Sequence, residues 1–184
     1  MSLGVREIES QDIPSICRYW LDSAPNFLFG MGVDLDKISS ERDLEAMLKG
    51  QLQQSYQEKK SYCTIWEING NAIGHCNVGE IEYGNHASMH LHIWKAMHRK
   101  RGCGFELVKL SLPYFFDNLE LKNLFCEPYA LNPAPNRTLE KLGFQFVKEY
   151  VTIPGALNFR QPVKRWVLSR DKFDRLYANF TRLS

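Results

Sequence analysis

The sequence predicts an α/β domain, a sheet flanked by helices, on three observations. Segment 88–94 has the two-residue period of a strand, and the apolar residues of segment 105–115 recur at helical spacing. A short segment with two glycines, Arg99–Gly104, lies between them. With 184 residues, of which 44% are hydrophobic, the chain is long enough to bury a large core as one domain.

The strands are predicted from alternating or compact apolar segments bounded by turn residues. An Asn69-Gly70 turn of the tight hairpin type joins the second and third of them. In chain order the predicted strands are Leu3–Glu9, Tyr62–Ile68, Ala72–Ile81, Ser88–Trp94, Leu121–Glu127, Phe144–Val151 and Val163–Leu168.

The helices are predicted from apolar periodicity and from residues that cap helix starts. Ser10, Ser40 and Ser169 each precede a periodic segment, and a further helix runs from the glycine segment to about Asn118. Asn132 is placed to cap a short helix with Pro133 at its first position, and Gly143 is expected to end that helix. The apolar segment 22–38 is expected to be a loop.

The last helix carries an apolar stripe at i, i+3, i+4 and i+7, formed by Phe173, Leu176, Tyr177 and Phe180. We expect this stripe to pack on its own domain, with a homodimer contact as the alternative.

Composition excludes several classes of protein. Five cysteines without a C-x-x-C pair argue against a disulfide framework or a zinc ribbon and favour a reducing compartment. The sequence shows neither a signal-peptide pattern nor an apolar stretch of membrane-spanning length, so a cytoplasmic protein without membrane contact is expected. A net charge of +2 is too small to indicate nucleic-acid binding.

The segment Arg99-Lys100-Arg101-Gly102-Cys103-Gly104 is suited to phosphate. Glycines at 102 and 104 remove the side chains that would keep a ligand from the backbone. The free N–H groups at the start of the following helix can then point at an anion.

A second motif follows one strand later, an Asn, a short helix and Gly-Phe, in Asn132–Phe144. Together the two motifs resemble the GNAT family of acetyl-CoA-dependent N-acetyltransferases. The segment Leu139-Glu140-Lys141-Leu142-Gly143-Phe144 is similar to the branch of ribosomal-protein N-terminal acetyltransferases. The resemblance implies the GNAT fold, with a central mixed, mostly antiparallel sheet splayed between the fourth and fifth strands. It implies an acetyltransferase domain over residues 3–170, followed by a C-terminal helix over 171–184.

The resemblance also implies a coenzyme A site. Ile93, Trp94 and Lys95 would pair with the pantetheine arm, and Asn132 would bind the arm from the other side. Arg137 is placed to reach a phosphate. The pyrophosphate would lie against the glycine segment, formed by Arg99, Lys100, Arg101, Gly102, Cys103 and Gly104. No metal is expected.

Transfer of acetyl to nitrogen requires a neutral amine, whereas alkyl amines with a pKa of about 10.4 are protonated at pH 7. A base must remove the proton. Glu127, at a strand end five residues before Asn132, is the first candidate, in the position of a glutamate of N-terminal acetyltransferases. His90 and His92 lie on one side of the preceding strand and are alternatives, as proton relays or as buried structural histidines.

Catalysis also requires an oxyanion donor, an acid for the leaving thiolate and residues that bind the acceptor. The resemblance assigns the oxyanion donor to a backbone N–H near Trp94. Many relatives carry a tyrosine acid where this chain has Leu139, and Tyr129 is the available substitute. Phe27, Phe29 and Met31 are expected to form a wall of the acceptor site. Glu80 and Glu82 are expected to bind a cationic acceptor.

The sequence thus predicts transfer of acetyl from acetyl-CoA directly to a primary amine, on a small molecule or a protein N-terminus, in a ternary complex. A non-catalytic acyl-CoA-binding or sensing module is the first alternative. The second is a metal enzyme built on His90 and His92, with His75, His86 and Glu82 as further ligands.

Overall fold

The computed structural model describes residues 1–99 and 102–177. Its seven strands form one sheet in the order β1-β2-β3-β4-β5-β7-β6. The strands are β1 (Leu3–Glu7), β2 (Tyr62–Ile68), β3 (Asn71–Glu82), β4 (His86–Ile93), β5 (Asn123–Cys126), β6 (Gln145–Thr152) and β7 (Gln161–Ser169). The helices are α1 (Ile13–Leu21), α2 (Pro25–Gly30), α3 (Glu41–Leu52), α4 (Cys103–Asn118), α5 (Pro133–Lys141) and α6 (Arg170–Tyr177).

The sheet is antiparallel except where β4 runs parallel to β5. Their pairing extends only from His86 opposite Asn123 to Met89 opposite Cys126. Because β4 continues to Ile93 after β5 has ended, its last four residues have no β5 partner and the sheet opens there. The predicted splay between the fourth and fifth strands is confirmed.

Buried side chains lie on both faces of the sheet. On β2, Tyr62 and Trp66 join a cluster with α4 and α6, whereas Cys63 and Ile65 join a second cluster with α1 and α3. Since side chains alternate along a strand, the two clusters cover opposite faces. All five cysteines are free and buried.

Several predicted caps are present. The Asp43 N–H donates to Ser40 Oγ at 3.2 Å, and the Ala134 N–H donates to Asn132 Oδ1 at 3.3 Å. Gly143 has the expected left-handed backbone, with φ of 85°. The prediction for Ser10 is wrong, because Ser10 begins a 3-10 turn and the Asp12 carboxylate accepts the Glu9 N–H instead.

Segment 22–38 is not a loop throughout, which corrects the sequence prediction. It contains α2 and a 3-10 turn over Leu35–Lys37. Pro25 opens α2 at a position where its missing N–H costs nothing.

The start of the C-terminal helix packs on the domain. Phe173 stacks on Phe116 of α4 with ring centroids 4.4 Å apart, and the Tyr177 hydroxyl donates to the Leu142 carbonyl. Phe180, the last member of the predicted stripe, lies outside the described residues, and a homodimer contact stays a prediction. None of the described helices is long and apolar enough to cross a membrane.

Candidate active site

A cavity of about 460 Å³ lies on the sheet face covered by α1 and α3. Its floor includes His75, His90 and His92. The cavity reaches the opening of the sheet, where the ends of β4 and β5 and the loop after β5 contribute its wall. The cavity therefore connects the predicted acceptor site with the opening of the sheet, where the coenzyme is predicted to bind.

The four predicted catalytic side chains and Asn132, predicted to bind the coenzyme, all line this cavity. Glu127, Tyr129 and Asn132 line the cavity from the loop after β5, and His90 and His92 line it from β4. Alternation along β4 explains the pair of histidines, because residues two apart point to the same face.

The Glu127 carboxylate is held by two side chains from neighbouring strands. Tyr150 donates its hydroxyl to Oε1 at 2.6 Å, and Arg165 donates Nη1 to the same oxygen at 2.9 Å. The described residues supply no hydrogen bond to Oε2. Glu127 therefore has a fixed orientation and one oxygen open for a further donor.

His92 is half-buried and belongs to a group of aromatic side chains. Its ring stacks on His75 with centroids 4.6 Å apart, and its Nδ1 lies 3.2 Å from the Tyr19 hydroxyl. His75 Nδ1 accepts a hydrogen bond of 2.7 Å from Trp94 Nε1. Burial lowers the pKa of His75 to about 3, and it lowers the pKa of His92 well below its ordinary value. Both imidazoles are neutral at pH 7.

His90 has a different electrostatic environment. Burial lowers its pKa, but the negative charges of Glu80 and Glu127 act in the opposite direction. Its ring also lies close to Gly155, where an added Cβ would come within 3.3 Å of Cε1. The pKa values of all three histidines lining the cavity are lowered, but at His90 nearby carboxylates oppose this effect of burial.

Glu80 reaches the cavity through an irregularity of β3. The pairing with β4 shifts register between Gly79 and Glu82, and Glu80 has a left-handed backbone with φ of 48°. Such bulges redirect a side chain. Ser88 donates its hydroxyl to Glu80 Oε2 at 2.8 Å, which fixes the carboxylate at the cavity.

Two of the residues predicted to bind the acceptor, Glu82 and Phe29, do not line the cavity. Glu82 is 63% exposed and pairs with His86 at 3.3 Å. Phe29 is 63% exposed and packs on Phe159. Met31 lines the cavity, and Phe27 lines a second, shallower groove between α2 and the loop after β5.

The glycine segment is open in the way an anion site requires. Gly102 precedes α4 with φ of 78°, and no side chain among the described residues caps the helix. A Cβ added at Gly102 or Gly104 would meet no atom within 4 Å. The first N–H groups of this 16-residue helix are therefore accessible to a phosphate, and the described residues fit the coenzyme.

The side chain of Arg99 is not directed to the glycine segment. Its Nε donates to the Ile93 carbonyl at 3.0 Å and its Nη2 donates to the Trp94 carbonyl at 2.9 Å. Its guanidinium also lies 3.6 Å from the centre of the Phe27 ring. In this structure Arg99 covers the end of β4, where the pantetheine arm is expected.

The other predicted coenzyme residues have varied surroundings. Lys95 and Arg137 are exposed, and Cys103 is buried with its thiol directed at the His98 carbonyl. Lys100 and Arg101 lie outside the described residues. The Trp94 N–H itself donates to the Ile73 carbonyl at 2.9 Å, so it is not free to act as the oxyanion donor predicted near this residue.

Sequence reasoning missed the side chains that hold this site together. Asn136 on α5 donates to the carbonyls of Tyr129 and Asn132 at 3.2 and 2.7 Å, and it accepts from Trp166 at 2.8 Å. It thereby fixes the loop that carries Tyr129 and Asn132. Its position four residues after the predicted cap Asn132 was the available signal, since residues four apart share a helix face.

The described residues do not support the metal alternative. Within residues 1–99 and 102–177, no three His, Cys, Asp or Glu side chains are grouped closely enough to hold a metal ion. His75 and His92 are stacked on each other, and His86 is engaged with Glu82.

The sheet opening, the uncapped glycine junction and the adjoining cavity define the class of acyl-CoA-dependent transferases. The family model of the acetyltransferase (GNAT) domain matches residues 2–145. The chain belongs to the GNAT acetyltransferase family, which confirms the prediction of an acetyl-CoA-dependent N-acyltransferase. No curated protein sequence matches the chain significantly.

Solved structures agree with this fold. The spermidine N-acetyltransferase of Vibrio cholerae, crystallised with CoA and spermine, has a TM-score of 0.75 and 22% identity, covering 93% of this chain and 97% of that one. The spermidine/spermine N-acetyltransferase of the same organism, crystallised with manganese ions, has a TM-score of 0.71 and 20% identity, covering 96% of each chain. At this identity the similarity supports the fold.

Proposed function

We propose that this protein transfers acetyl from acetyl-CoA to the primary amine of a small cationic molecule, in a ternary complex without an acyl-enzyme. The observation that carries the proposal is the cavity, because it brings Glu80, His90 and Glu127 to the opening of the sheet. An amine acceptor is also supported by the Vibrio cholerae enzyme, whose structure contains spermine. Five free cysteines support a reducing, cytoplasmic setting.

The coenzyme site is assigned to residues that fit its parts. When bound, acetyl-CoA supplies the acetyl group as a thioester. The N–H groups at Gly102–Gly104 would hold the pyrophosphate, with Lys100, Arg101 and Arg137 as nearby cations. Asn132 offers its amide Nδ2 to the arm, since its Oδ1 caps α5. Backbone groups of Ile93–Lys95 become available once Arg99 leaves the two carbonyls it covers.

We assign the proton transfer from the amine to Glu127, with His90 as its neighbour and relay. Arg165 and Tyr150 fix Oε1, so Oε2 is free to accept a proton from the acceptor or from a bridging water. His92 is assigned a structural role, because Tyr19 and His75 occupy its surroundings.

The oxyanion donor predicted near Trp94 is assigned to β4. Because the Trp94 N–H faces β3, the alternation of an antiparallel pair directs the backbone groups of Leu91 and Ile93 toward the opening. We propose one of these two N–H groups as the donor. Leu139 is fully buried and supplies no acid, so Tyr129 is proposed to protonate the leaving thiolate.

A thiol-release assay with acetyl-CoA and a panel of amines, including polyamines, amino sugars, amino acids and a peptide N-terminus, tests the proposal. Glu127→Gln should lower kcat by at least about a hundredfold, the usual contribution of a general base. His90→Ala should lower kcat less, and the Kd for coenzyme A should not change in either variant. Glu149→Gln, on the exposed side of β6, is the matched control.

Unchanged turnover in Glu127→Gln, His90→Ala and His92→Ala would refute the assignment of these residues. Coenzyme binding without thiol release from any amine would favour the alternative, a non-catalytic acyl-CoA-binding module. The buried Leu139 is the observation that keeps this alternative, since relatives with a tyrosine at this position have an acid that this chain lacks.

A further inference from the structure

Gln51 is an unpaired polar side chain in the wall of the cavity. It lies on α3, is 4% exposed and lines the cavity. Neither its Nε2 nor its Oε1 has a hydrogen-bond partner among the described residues. A buried amide without partners destabilises a protein, so this position calls for an explanation.

The position of Gln51 on its helix excludes a solvent-facing role. Leu44 and Leu48, seven and three residues earlier, point into the same core and are buried. An apolar side chain at 51 would continue this face and bury no unpaired group. The amide instead offers one donor and one acceptor to whatever occupies the cavity.

The charges at the cavity limit how many ammonium groups an occupant can carry. The charged side chains lining it, among the residues described, are Glu80, Glu127 and Lys60. Arg165 already neutralises Glu127 at 2.9 Å. Glu80 is held by the neutral Ser88, so it is the one carboxylate there without a cationic partner. Glu80 can therefore pair with one ammonium group, and the positive charge of Lys60 disfavours a second.

The side chains that α1 and α3 contribute to the cavity are apolar, apart from Gln51. Ile16, Trp20, Leu44, Met47 and Leu48 of α1 and α3 line the cavity. An occupant therefore meets a carboxylate, several apolar side chains and a neutral amide.

We propose that the acceptor is a monoamine whose apolar segment ends in a neutral group that both donates and accepts hydrogen bonds, a hydroxyl or a carboxamide, and that this group pairs with Gln51. The inference rests on the proposed function and narrows its substrate class. It predicts that a molecule with several amines is a poorer acceptor than a monoamine of equal length.

The test compares matched linear amines of short, medium and long alkyl chain that end in a methyl, hydroxyl, carboxamide or second amino group. At the best length, kcat/KM for the hydroxyl or carboxamide compound should exceed that for the methyl and diamine compounds roughly tenfold, as expected for a buried pair of hydrogen bonds. The hydroxyl and carboxamide arms distinguish the two forms of the group.

Gln51→Met, of similar volume, should abolish this preference and leave kcat/KM for the methyl-ended amine within about twofold of wild type. Its unfolding temperature should be no lower than that of wild type, because an unpaired group is removed. Gln53→Met, at the exposed end of the same helix, should retain the preference. Equal kcat/KM for all four endings, or a preference that survives Gln51→Met, overturns the inference while the acetyltransferase function stands.

Calorimetric titration of the same amines, in the presence of coenzyme A, separates the two proposals. Tighter binding of the hydroxyl or carboxamide compound that depends on Gln51, without acetylation of any amine, supports this inference and refutes the proposed function. Absence of both binding and acetylation refutes both.

Discussion

At the scale of single residues, Met31 and Phe29 have different surroundings although they are two positions apart. Met31 lines the cavity, whereas Phe29 packs on Phe159 outside it. We expect Met31→Ala to raise the KM for the acceptor roughly fivefold, since an apolar contact of a methionine is lost. The Kd for coenzyme A should not change.

Phe29→Ala is the matched control for this prediction and should leave the KM for the acceptor at the wild-type value. Steady-state kinetics at saturating acetyl-CoA measures both variants. A larger effect from Phe29→Ala than from Met31→Ala would show that the acceptor binds outside the cavity described.

Single-sequence reasoning located the residues of this site better than their partners. The side of β4 occupied by His90 and His92 follows from a period of two, which is local. The contacts of Glu127 depend on Tyr150 and Arg165, which the sheet brings together from 23 and 38 residues away. Such contacts require strand order and register, and neither is encoded in the spacing of nearby residues.

At the scale of elements, the bulge in β3 directs Glu80 to the cavity and lowers the stability of the fold. A residue other than glycine with φ of 48° is strained. We expect Glu80→Gly to raise the free energy of unfolding by up to about 1 kcal/mol, because glycine adopts this backbone without strain. The same variant should raise the KM for the amine roughly tenfold, because a charge-assisted hydrogen bond is lost.

Glu120 provides the comparison, since it also has a left-handed backbone, with φ of 51°, and lies outside the cavity. Glu120→Gly should stabilise the protein similarly without a change in KM. Urea unfolding and steady-state kinetics measure the two effects. A wild-type KM in Glu80→Gly would show that Glu80 does not contact the acceptor.

Elements with local start signals were predicted, and those without them were not. Ser40 and Asn132 cap helices as expected because capping involves residues only two or three positions away. The helix α2 was missed because six residues are too few to show a period of 3.6. The bulge at Glu80 was missed because the sequence of a bulge does not differ from that of a regular strand.

At the scale of the whole molecule, buried histidines make stability depend on pH. The folded chain takes up a proton on His75 only near pH 3, whereas the unfolded chain does so near the ordinary pKa of 6.5. Below pH 6.5 the unfolded state therefore binds more protons, and the free energy of unfolding falls as pH falls. For His75 alone the loss between pH 7 and pH 5 is about 2 kcal/mol.

Urea unfolding at pH 7, 6 and 5 measures this dependence. His75→Gln retains an acceptor for the indole N–H of Trp94 and should reduce the dependence of stability on pH. The lowered pKa values of His90 and His92 should account for the pH dependence that remains in this variant. Equal slopes for the wild type and His75→Gln would show that the His75 imidazole is protonated in the folded state.

The order of the sheet is a property of the whole chain that sequence did not predict. β7 lies between β5 and β6, so the last strand of the chain is inserted next to the site and supplies Arg165. The pairing of β7 with β5 depends on the packing of side chains from the whole core and not on residues near β7 in the sequence.

The burial of all five cysteines has a practical meaning for measurement. A colorimetric disulfide reagent attacks thiolates, and burial raises the pKa of Cys17, Cys63, Cys76 and Cys126. In the native state the reagent therefore reacts with the thiol of released coenzyme A and not with the protein. In a denatured chain all five cysteine thiols react with the reagent as well. An inactive variant that is still folded therefore gives no colour of its own, whereas an unfolded one does.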